Sequence, residues 1–436
     1  MRYFLIGIGG ISMSAIAKYL ILRGEQVSGS DIRENNEIKN LEKMGANIVI
    51  GQKPANITNN IDEVIFTSAI TPNSVGHTEL QRAKKMKIPT YKRSVFLGKL
   101  ISDNFGITVS GMHGKTTTTA MLGFVLKKLN QNPTVFVGGE FRPFSNSNLE
   151  FNKKSKYFIT EGCEYDRSFL DFQNLAAIIL NIEPEHLDYF QGGLPEILKT
   201  FRIFLSKIPK TGFAVLCWDN ENVRKMANSA KCEIIKYSKK DLSKYNLHLQ
   251  IPGEHNLMNA LAVIKVVEKL GLSVSEAEKI LSEFPGVGRR FEHLGKIGKT
   301  DFIDDYAHHP TEIAATLKVV EQKYSGKKVL VIFQPHQYSR TRLLFDDFVK
   351  IFSGVENLAI MSVYEVVGRE EDKSVGVQEL AGAISKSSAR KIQVFRDQKE
   401  VLKYLVQNYQ KYDLVVTMGA GILDLVAKKF IAQHQI

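Results

Sequence analysis

A short glycine-rich stretch, GMHGKT at residues 111–116, combines the groups that bind a phosphorylated nucleotide. Backbone N–H groups of such a loop contact phosphate oxygens, a lysine such as Lys115 neutralises their charge, and a hydroxyl such as that of Thr116 reaches Mg²⁺. Here the two glycines are separated by fewer residues than in the usual P-loop. The stretch therefore predicts a phosphate-binding loop of unusual length, and the alternative is a chance Gly-Lys-Thr turn.

Two further segments place metal-binding side chains after apolar runs. KYFITEG brings Glu161 to the end of a predicted strand, and LAAIILNIEPEHLD brings His186 to the loop after another. Such strand ends are where parallel sheets bind ligands, and Mg²⁺ prefers oxygen ligands. Alone, Glu161 would be a solvated carboxylate and His186 a capping or packing histidine. Together with Lys115 and Thr116 they indicate a metal–nucleotide site.

The chain begins with a glycine turn that could contact a second phosphate group. Residues 3–12 read YFLIGIGGIS, an apolar run that breaks into glycines. The dinucleotide fingerprint of dehydrogenases has a third glycine or alanine where this chain has Ser12. Asp31, after the second apolar run, stands where a dehydrogenase binds ribose, or it caps the next helix. A nicotinamide dehydrogenase is thus one alternative, although the second nucleotide motif at Lys115 argues against it.

Sheets are needed to bring these segments into position. Strand and helix signals alternate from YFLIGI onward, a second series starts at GITVSG, and a third starts at TDFIDD. Alternation of this kind predicts mostly parallel sheets covered by helices. We therefore expect an α/β protein with three consecutive α/β domains, at residues 1–103, 104–288 and 289–436.

Composition limits the partners. The 436 residues have a formal net charge of +12, but the lysines are scattered and form no basic stripe. We therefore expect no nucleic-acid partner and a surface that attracts anionic nucleotides. Glycines and Lys18 interrupt the apolar N-terminal run, so we expect no signal peptide and no membrane insertion. Cys163, Cys217 and Cys232 have no metal-like spacing, which fits a cytoplasmic protein.

Eight segments in order resemble the Mur ligase family: GIGGISMSAIA, SGMHGKTTTTAML, EGCEYDRSFL, NIEPEHLDYF, PGEHNLMNALA, GVGRRFE, DDYAHHPTEI and FQPHQYSRTR. As an ordered set they are far more specific than any one of them. The resemblance implies a ligase of peptidoglycan synthesis that uses ATP and Mg²⁺ to join L-alanine to UDP-N-acetylmuramate. It also implies a Rossmann-like first domain, a P-loop ATPase-like central domain and a Rossmann-like C-terminal domain, in a monomer or weak homodimer.

By this resemblance, the first glycine turn contacts the pyrophosphate of the UDP-sugar, which accounts for Ser12. The resemblance assigns UDP-sugar binding to Gly9, Gly10, Ile11, Ser12, Asp31, Ser68, Ala69 and Arg93. It assigns ATP binding to Gly111, Met112, His113, Gly114, Lys115, Thr116, Thr117, Asn256, Asn259 and Arg290. Thr116, Glu161 and His186 would hold magnesium, and Lys115 would contact the β and γ phosphates. Asn256 and Asn259 could instead cap the helix that follows.

The third domain should bind the amino acid, for which the resemblance implies Tyr306, His308, His336, Tyr338 and Arg340. Arg340 and His336 would bind the carboxylate, and His308 would position the substrate and handle its proton. The catalytic residues would be Lys115, His186, His308 and Arg340. We expect His309, beside His308, to be structural.

Two departures from the family pattern put single contacts in doubt. Gln337 stands where family members commonly have an arginine, and Gln52 stands where they have a histidine. Two alternatives also remain open. One is another Mur-type ligase, such as the one that attaches recycled tripeptide to the same sugar. The other is a sensor that binds nucleotide without catalysis, which the presence of Lys115 and Glu161 argues against.

Overall fold

The computed structural model describes residues 1–145, 147–187, 189–365 and 372–434. It contains two compact units: unit 1 is Met1–Gln250 with Asn256–Phe284, and unit 2 is Ile251–His255 with Pro285–Ile436. Asp188, in the NIEPEHLDYF segment, lies outside the described residues.

The first sheet of unit 1 has five parallel strands in the order β3-β2-β1-β4-β5. The central strand β1 is buried because it consists of the apolar run that precedes the glycine turn. Its strands are β1 (Arg2–Ile6), β2 (Gln26–Asp31), β3 (Asn47–Ile50), β4 (Glu63–Phe66) and β5 (Thr90–Lys92). Its helices are α1 (Ile11–Leu22), α2 (Asn36–Lys43), α3 (His77–Lys85) and α4 (Arg93–Ser102).

The second sheet of unit 1 has seven strands in the order β12-β11-β10-β6-β9-β7-β8. All neighbours are parallel except β7 and β8. The strands are β6 (Phe105–Ser110), β7 (Thr134–Phe141), β8 (Ser147–Glu150), β9 (Tyr157–Gly162), β10 (Ala176–Ile179), β11 (Phe213–Cys217) and β12 (Glu233–Tyr237). The helices are α5 (Lys115–Lys128), α6 (Gly193–Lys207), α7 (Glu221–Met226), α8 (Glu254–Lys269) and α9 (Val274–Ser282). A 3₁₀ segment, Tyr165–Asp171, follows β9.

Unit 2 contains a sheet of six strands in the order β13-β14-β18-β15-β16-β17, antiparallel only between β13 and β14. The strands are β13 (Glu292–Ile297), β14 (Thr300–Asp305), β15 (Val329–Phe333), β16 (Asn357–Met361), β17 (Gln393–Phe395) and β18 (Leu414–Met418). The helices are α10 (Pro310–Lys323), α11 (Tyr338–Leu343), α12 (Phe345–Phe352), α13 (Val377–Ser388), α14 (Gln398–Asn408) and α15 (Leu423–His434). The prediction of three consecutive, mostly parallel α/β modules is confirmed.

The two sheets of unit 1 share one core through α1. The ring of Tyr19 contacts Phe136 of β7 and Phe158 in β9, with centroid distances of 5.8 and 6.2 Å. Beside it, the buried Lys18 ammonium donates to Asn148 Oδ1 at 2.9 Å and lies 2.8 Å from Glu37 Oε2. A buried ammonium is tolerated only when it is paired and hydrogen-bonded. These contacts therefore hold α1 in a single position against β8.

Each sheet fits within one of the three predicted domain ranges, and the ranges themselves stay a prediction. Among the residues that the structure describes, no helix combines the length and apolar character that crossing a membrane requires.

Candidate functional site

The glycine turn after β1 is braced by the end of the neighbouring strand. Gly9 N donates to Asp31 Oδ2 at 2.8 Å, and Asn35 Nδ2 donates to the Gly9 carbonyl at 3.0 Å. A Cβ at Gly9 would lie only 2.8 Å from Asn35 Nδ2 and 3.0 Å from Asp31 Oδ2, so a larger residue would have to displace these side chains. Asn35, not Asp31, caps α2, since its side chain accepts from Ile38 N at 2.9 Å. The alternative that Asp31 caps this helix is wrong, and its contact with uridine stays a prediction.

The other residues predicted to bind the UDP-sugar lie at the carboxyl edge of the same sheet. At the start of α4, Arg93 Nη1 donates to Ser12 Oγ at 2.8 Å. Gly10 begins α1 without a side-chain cap, and the apolar Ile11 next to it is 50 % exposed. Residues 68–69, Ser68 and Ala69, follow β4, which pairs in parallel with β1. An uncapped helix start beside a guanidinium is suited to bind an anion.

The phosphate loop connects β6 to α5 and is held by an asparagine that the sequence analysis missed. Asn181 Oδ1 accepts from His113 N at 2.9 Å, and Asn181 Nδ2 donates to the His113 carbonyl at 3.1 Å. Gly114 ends the loop with φ 84°, a left-handed conformation that glycine adopts without strain. The loop is thus held at both the N–H and the carbonyl of His113. The first N–H groups of the buried helix α5 follow directly.

Thr116 and Glu161 lie together, as the sequence predicted for a metal site. Thr116 Oγ1 donates to Glu161 Oε2 at 3.2 Å, and the other oxygen of Glu161 accepts from Gly138 N. A hydroxyl and a carboxylate are the hard oxygen donors that Mg²⁺ prefers. These two side chains therefore fit the magnesium ion that the family implies.

Lys115 and His186 meet at a buried carboxylate, Glu164. Lys115 Nζ lies 3.0 Å from Glu164 Oε2 and donates to the carbonyls of Gly111 and Met112, and His186 Nε2 lies 3.2 Å from Glu164 Oε1. Burial alone would raise the pKa of Glu164, but Lys115 and His186 outweigh it and lower that pKa to about 2. Glu164 is therefore ionised beside the Lys115 ammonium.

The two asparagines of α8 are buried, and one of them lies beside the phosphate loop. An added Cβ at Gly114 would be 2.8 Å from Asn259 Oδ1, so this amide packs directly on the loop. Asn256 precedes it by one helical turn. Thr117 is buried in the first turn of α5. The assignment of both asparagines to adenine stays a prediction.

In unit 2, the structure brings together the residues after β14 and β15 that are predicted to bind the amino-acid substrate. The rings of His308 and His336 have centroids 6.0 Å apart, and the ring of Tyr306 lies 5.4 Å from that of His308. Arg340 Nη1 lies 3.1 Å from His336 Nδ1. We name these four residues the histidine–arginine cluster. Tyr338 begins α11, the short helix that carries Arg340.

The adjacent histidines have different surroundings. His308 Nδ1 lies 2.9 Å from the Tyr306 carbonyl, and its backbone N–H donates to Glu312 Oε2 at 3.1 Å. His309 caps α10: its Nδ1 accepts from Thr311 N at 3.3 Å, and its N–H donates to Glu312 Oε2 at 3.4 Å. This capping is a structural role, as the sequence analysis expected of His309.

Two consecutive arginines precede β13 in unit 2. Arg289 donates to Asp304 Oδ2 at 3.1 Å and to the carbonyls of Gly419 and Gly421 at 2.7 and 3.1 Å. Burial raises the pKa of Asp304 to about 6, although the Arg289 charge opposes the shift. Arg290 lies over the ring of Tyr306, 5.0 Å from its centroid. Its reach to ATP stays a prediction.

Gln337 has a strained backbone and lies between His336 and Tyr338, two residues predicted to bind the amino-acid substrate. Its φ is 73° and its ψ is 133°, a region that side chains with a Cβ rarely adopt. The conformation is held because Gln337 N donates to the Tyr364 carbonyl at 3.1 Å, and Thr341 Oγ1 donates to the Gln337 carbonyl at 2.8 Å. Strain of this kind concentrates at functional sites.

Substitutions at Gln337 should reverse the usual order of stability. Gln337→Gly relieves the strain and Gln337→Ala keeps it, so the glycine variant should unfold with a free energy about 1 kcal/mol higher than the alanine variant. Urea unfolding measures the difference. The same pair at exposed Lys386 in α13 should show the opposite order, by about 1 kcal/mol in favour of alanine. An alanine advantage at both positions would contradict the strain.

Three family models match the chain in order. The model "Mur ligase family, catalytic domain" matches residues 2–105, "Mur ligase middle domain" matches residues 109–248, and "Mur ligase, glutamate ligase domain" matches residues 289–421. These ranges contain the glycine turn, the phosphate loop and the histidine–arginine cluster, respectively.

Curated relatives and solved structures match the chain along its whole length. The UDP-N-acetylmuramate–L-alanine ligase of Caldanaerobacter subterraneus subsp. tengcongensis is 37% identical over 100% of this chain and 98% of its own. The ligase of that name from Clostridium kluyveri is 38% identical over 98% and 97%. The crystal structure of the UDP-N-acetylmuramate–alanine ligase MurC from Thermotoga maritima matches with a TM-score of 0.84 and 26% identity, covering 100% of this chain and 99% of that one.

A murein peptide ligase from Psychrobacter arcticus shares the fold, with a TM-score of 0.73 at 22% identity over 99% of this chain and 98% of that one. Identity that low shows the fold alone. The ordered family models and the full-length relatives carry the assignment: this chain belongs to the Mur ligase family.

Proposed function

We propose that this chain joins L-alanine to the lactyl carboxylate of UDP-N-acetylmuramate and converts ATP to ADP and phosphate. The observation that carries the proposal is the presence in unit 1 of two glycine turns whose geometry suits anions, one after β1 and one before α5. A Lys115 loop beside a hydroxyl–carboxylate pair suits a metal-bound triphosphate, and the uncapped turn beside Arg93 suits a pyrophosphate. The full-length relatives named for this reaction support the same substrates.

The chemistry requires activation, because a carboxylate does not react with an amine at neutral pH. An oxygen of the lactyl carboxylate attacks the γ-phosphorus of ATP, the bond to the β-phosphate oxygen breaks, and ADP leaves. The product is an acyl phosphate with a good leaving group. The amine of alanine, after losing a proton, attacks the acyl carbon, and the C–O bond to phosphate breaks. This route requires no nucleophile from the protein.

The residues of unit 1 would stabilise the first step. Lys115 would neutralise charge on the transferred phosphoryl group, and the N–H groups at the start of α5 would contact the phosphates. Thr116, Glu161 and His186 would hold Mg²⁺, which supplies additional positive charge to the phosphates when it is bound. Asp31, through its bond to Gly9 N, would keep the turn for the UDP-sugar in shape.

The histidine–arginine cluster of unit 2 would bind alanine. Arg340 and His336 would bind the carboxylate, since a guanidinium offers several donors in one plane. His308, with Nδ1 next to the Tyr306 carbonyl, would position the amine and take its proton through Nε2. The free cysteines Cys163, Cys217 and Cys232 fit a reducing compartment, so we infer a cytoplasmic location.

A donor assay tests the proposal. Phosphate release should require ATP, UDP-N-acetylmuramate and L-alanine together, and the sugar product should gain the mass of an alanyl residue. A tripeptide donor such as L-alanyl-γ-D-glutamyl-diaminopimelate should give little release. Faster release with the tripeptide than with alanine would instead favour the recycling ligase, and hydride transfer to NAD would overturn both readings.

A labelled carboxylate should reveal the order of bond breaking. If the acyl phosphate forms first, an oxygen of the sugar's carboxylate stays on phosphorus when the amine attacks. UDP-N-acetylmuramate carrying a heavy oxygen isotope in its carboxylate should therefore transfer that isotope to inorganic phosphate, as measured by mass spectrometry. Label found in AMP would mean that the carboxylate attacks the α-phosphorus, and it would contradict the mechanism.

A further inference from the structure

We propose that Glu164 is a positioning residue that holds Lys115 and His186 ready for the triphosphate. The inference rests on the proposed function, since it concerns the same phosphate site. It adds a residue whose side chain binds no substrate directly and acts through two side chains that do.

The position of Glu164 is fixed by the protein around it. Its side chain is 1 % exposed, and its carbonyl accepts from Arg167 N at 2.9 Å. Asp166 and Arg167 both have positive φ, at 54° and 51°, so the turn that aims the carboxylate is strained. Strain of this kind persists only where the surrounding structure enforces it. The ring of Tyr165 packs on that of His186 at 5.1 Å, which holds the imidazole on the other side.

One carboxylate thus binds two groups with different tasks. Its Oε2 lies 3.0 Å from Lys115 Nζ, the proposed phosphate contact, and its Oε1 lies 3.2 Å from His186 Nε2, a proposed metal ligand. Long side chains such as lysine lose considerable entropy when they are held in one rotamer. Because Glu164 has already restricted both side chains, the nucleotide does not have to do so in the transition state.

The negative charge of Glu164 also has a cost for binding. ATP is a polyanion, and a buried carboxylate 3.0 Å from the phosphate-binding ammonium weakens the positive potential that attracts it. Removing the charge should therefore strengthen ATP binding while it loosens the two catalytic side chains. Ground-state binding and turnover should change in opposite directions, which a general loss of structure would not produce.

Glu164→Gln tests this reasoning with nearly unchanged shape. ATP binding, measured by calorimetry with Mg²⁺ and without the sugar, should become several-fold tighter. Turnover at saturating substrates should fall by about 10- to 100-fold, the size expected when catalytic groups are misplaced. Glu164→Asp, which keeps the charge and shortens the side chain, should leave ATP binding nearly unchanged and still lower turnover.

A matched control separates local charge from total charge. Glu150 lies in β8 and forms an ion pair with Lys127 of α5. Glu150→Gln removes the same charge there and should change neither ATP binding nor turnover. Absence of ATP binding by the wild-type protein would refute the proposed function itself. If the wild type binds ATP, weaker ATP binding by Glu164→Gln, or unchanged turnover, would overturn the positioning role. Thermal unfolding identifies a variant that fails to fold, in which case Glu164→Asp alone decides: unchanged turnover refutes the role.

Discussion

Lys115→Ala should lower ligase turnover by about 100-fold or more, because one charge contact to the transition state typically contributes that much. The ammonium lies at the start of α5, where it donates to the Met112 carbonyl at 3.2 Å. Binding of the UDP-sugar should be unchanged, since the glycine turn after β1 belongs to another sheet. Phosphate release measures the first effect, and calorimetric titration with UDP-N-acetylmuramate measures the second.

Lys127→Ala is the matched control for this experiment. Lys127 lies on the same helix but pairs with Glu150 at 2.9 Å, so its loss should leave turnover near the wild-type value. Because Lys115→Ala also removes the lysine partner of the buried Glu164, the thermal midpoint of the variant should fall, and turnover must be measured well below that temperature. A Lys115→Ala variant that keeps a tenth of normal turnover would overturn the assignment.

Arg340→Ala should raise the KM for alanine by about 30-fold, equivalent to about 2 kcal/mol, since a buried carboxylate would lose its charged donor. The guanidinium lies 3.1 Å from His336 Nδ1, and both side chains are part of the histidine–arginine cluster. The KM for ATP should hardly change, because we assign ATP to the phosphate loop of unit 1. Steady-state kinetics with each substrate varied in turn measure both constants.

Arg342→Ala provides the control for Arg340→Ala. Arg342 lies on the same short helix, but its side chain is 44 % exposed and pairs with Asp372. Exposed ion pairs contribute little, so both KM values should stay near wild type. If Arg340→Ala raised the KM for ATP and left that for alanine unchanged, Arg340 would belong to the nucleotide, and the alanine site would have to be sought elsewhere.

The sequence predicted the strand-end residues well because periodicity and glycine turns are local signals. Thr116 follows β6 and Glu161 lies at the end of β9. These two strands pair in parallel, so the meeting of the two side chains could be anticipated. The family resemblance, rather than this reasoning, assigned His308 and His336 to one site, and their rings lie 6.0 Å apart. Capping of α10 by His309 could also be anticipated, because Pro310 and Glu312 follow it at helix-start positions.

Side-chain partners within loops could not be predicted in this way. EGCEYD offers two glutamates, and only the turn after β9 decides that Glu164 is buried against Lys115 while Glu161 faces Thr116. In the sequence, Asn181 is an ordinary residue after a strand. The two hydrogen bonds of its side chain to the His113 backbone depend on how β10 and β6 align. Long-range alignment of this kind leaves no local pattern. The same limit applied to Asp31, whose partner Gly9 precedes it by a whole β-α unit.

The buried contact of Lys18 with Asn148 should couple the unfolding of the two sheets of unit 1. Since α1 belongs to the core of both sheets in unit 1, those sheets should open as one cooperative unit in hydrogen exchange, and the amides of β1 and β6 should share one opening free energy. A substitution at Tyr19 that destabilises this core would then lower the folded fraction of both glycine turns together. Its phenotype in a cell would resemble that of a phosphate-loop mutation, although Tyr19 is outside that loop.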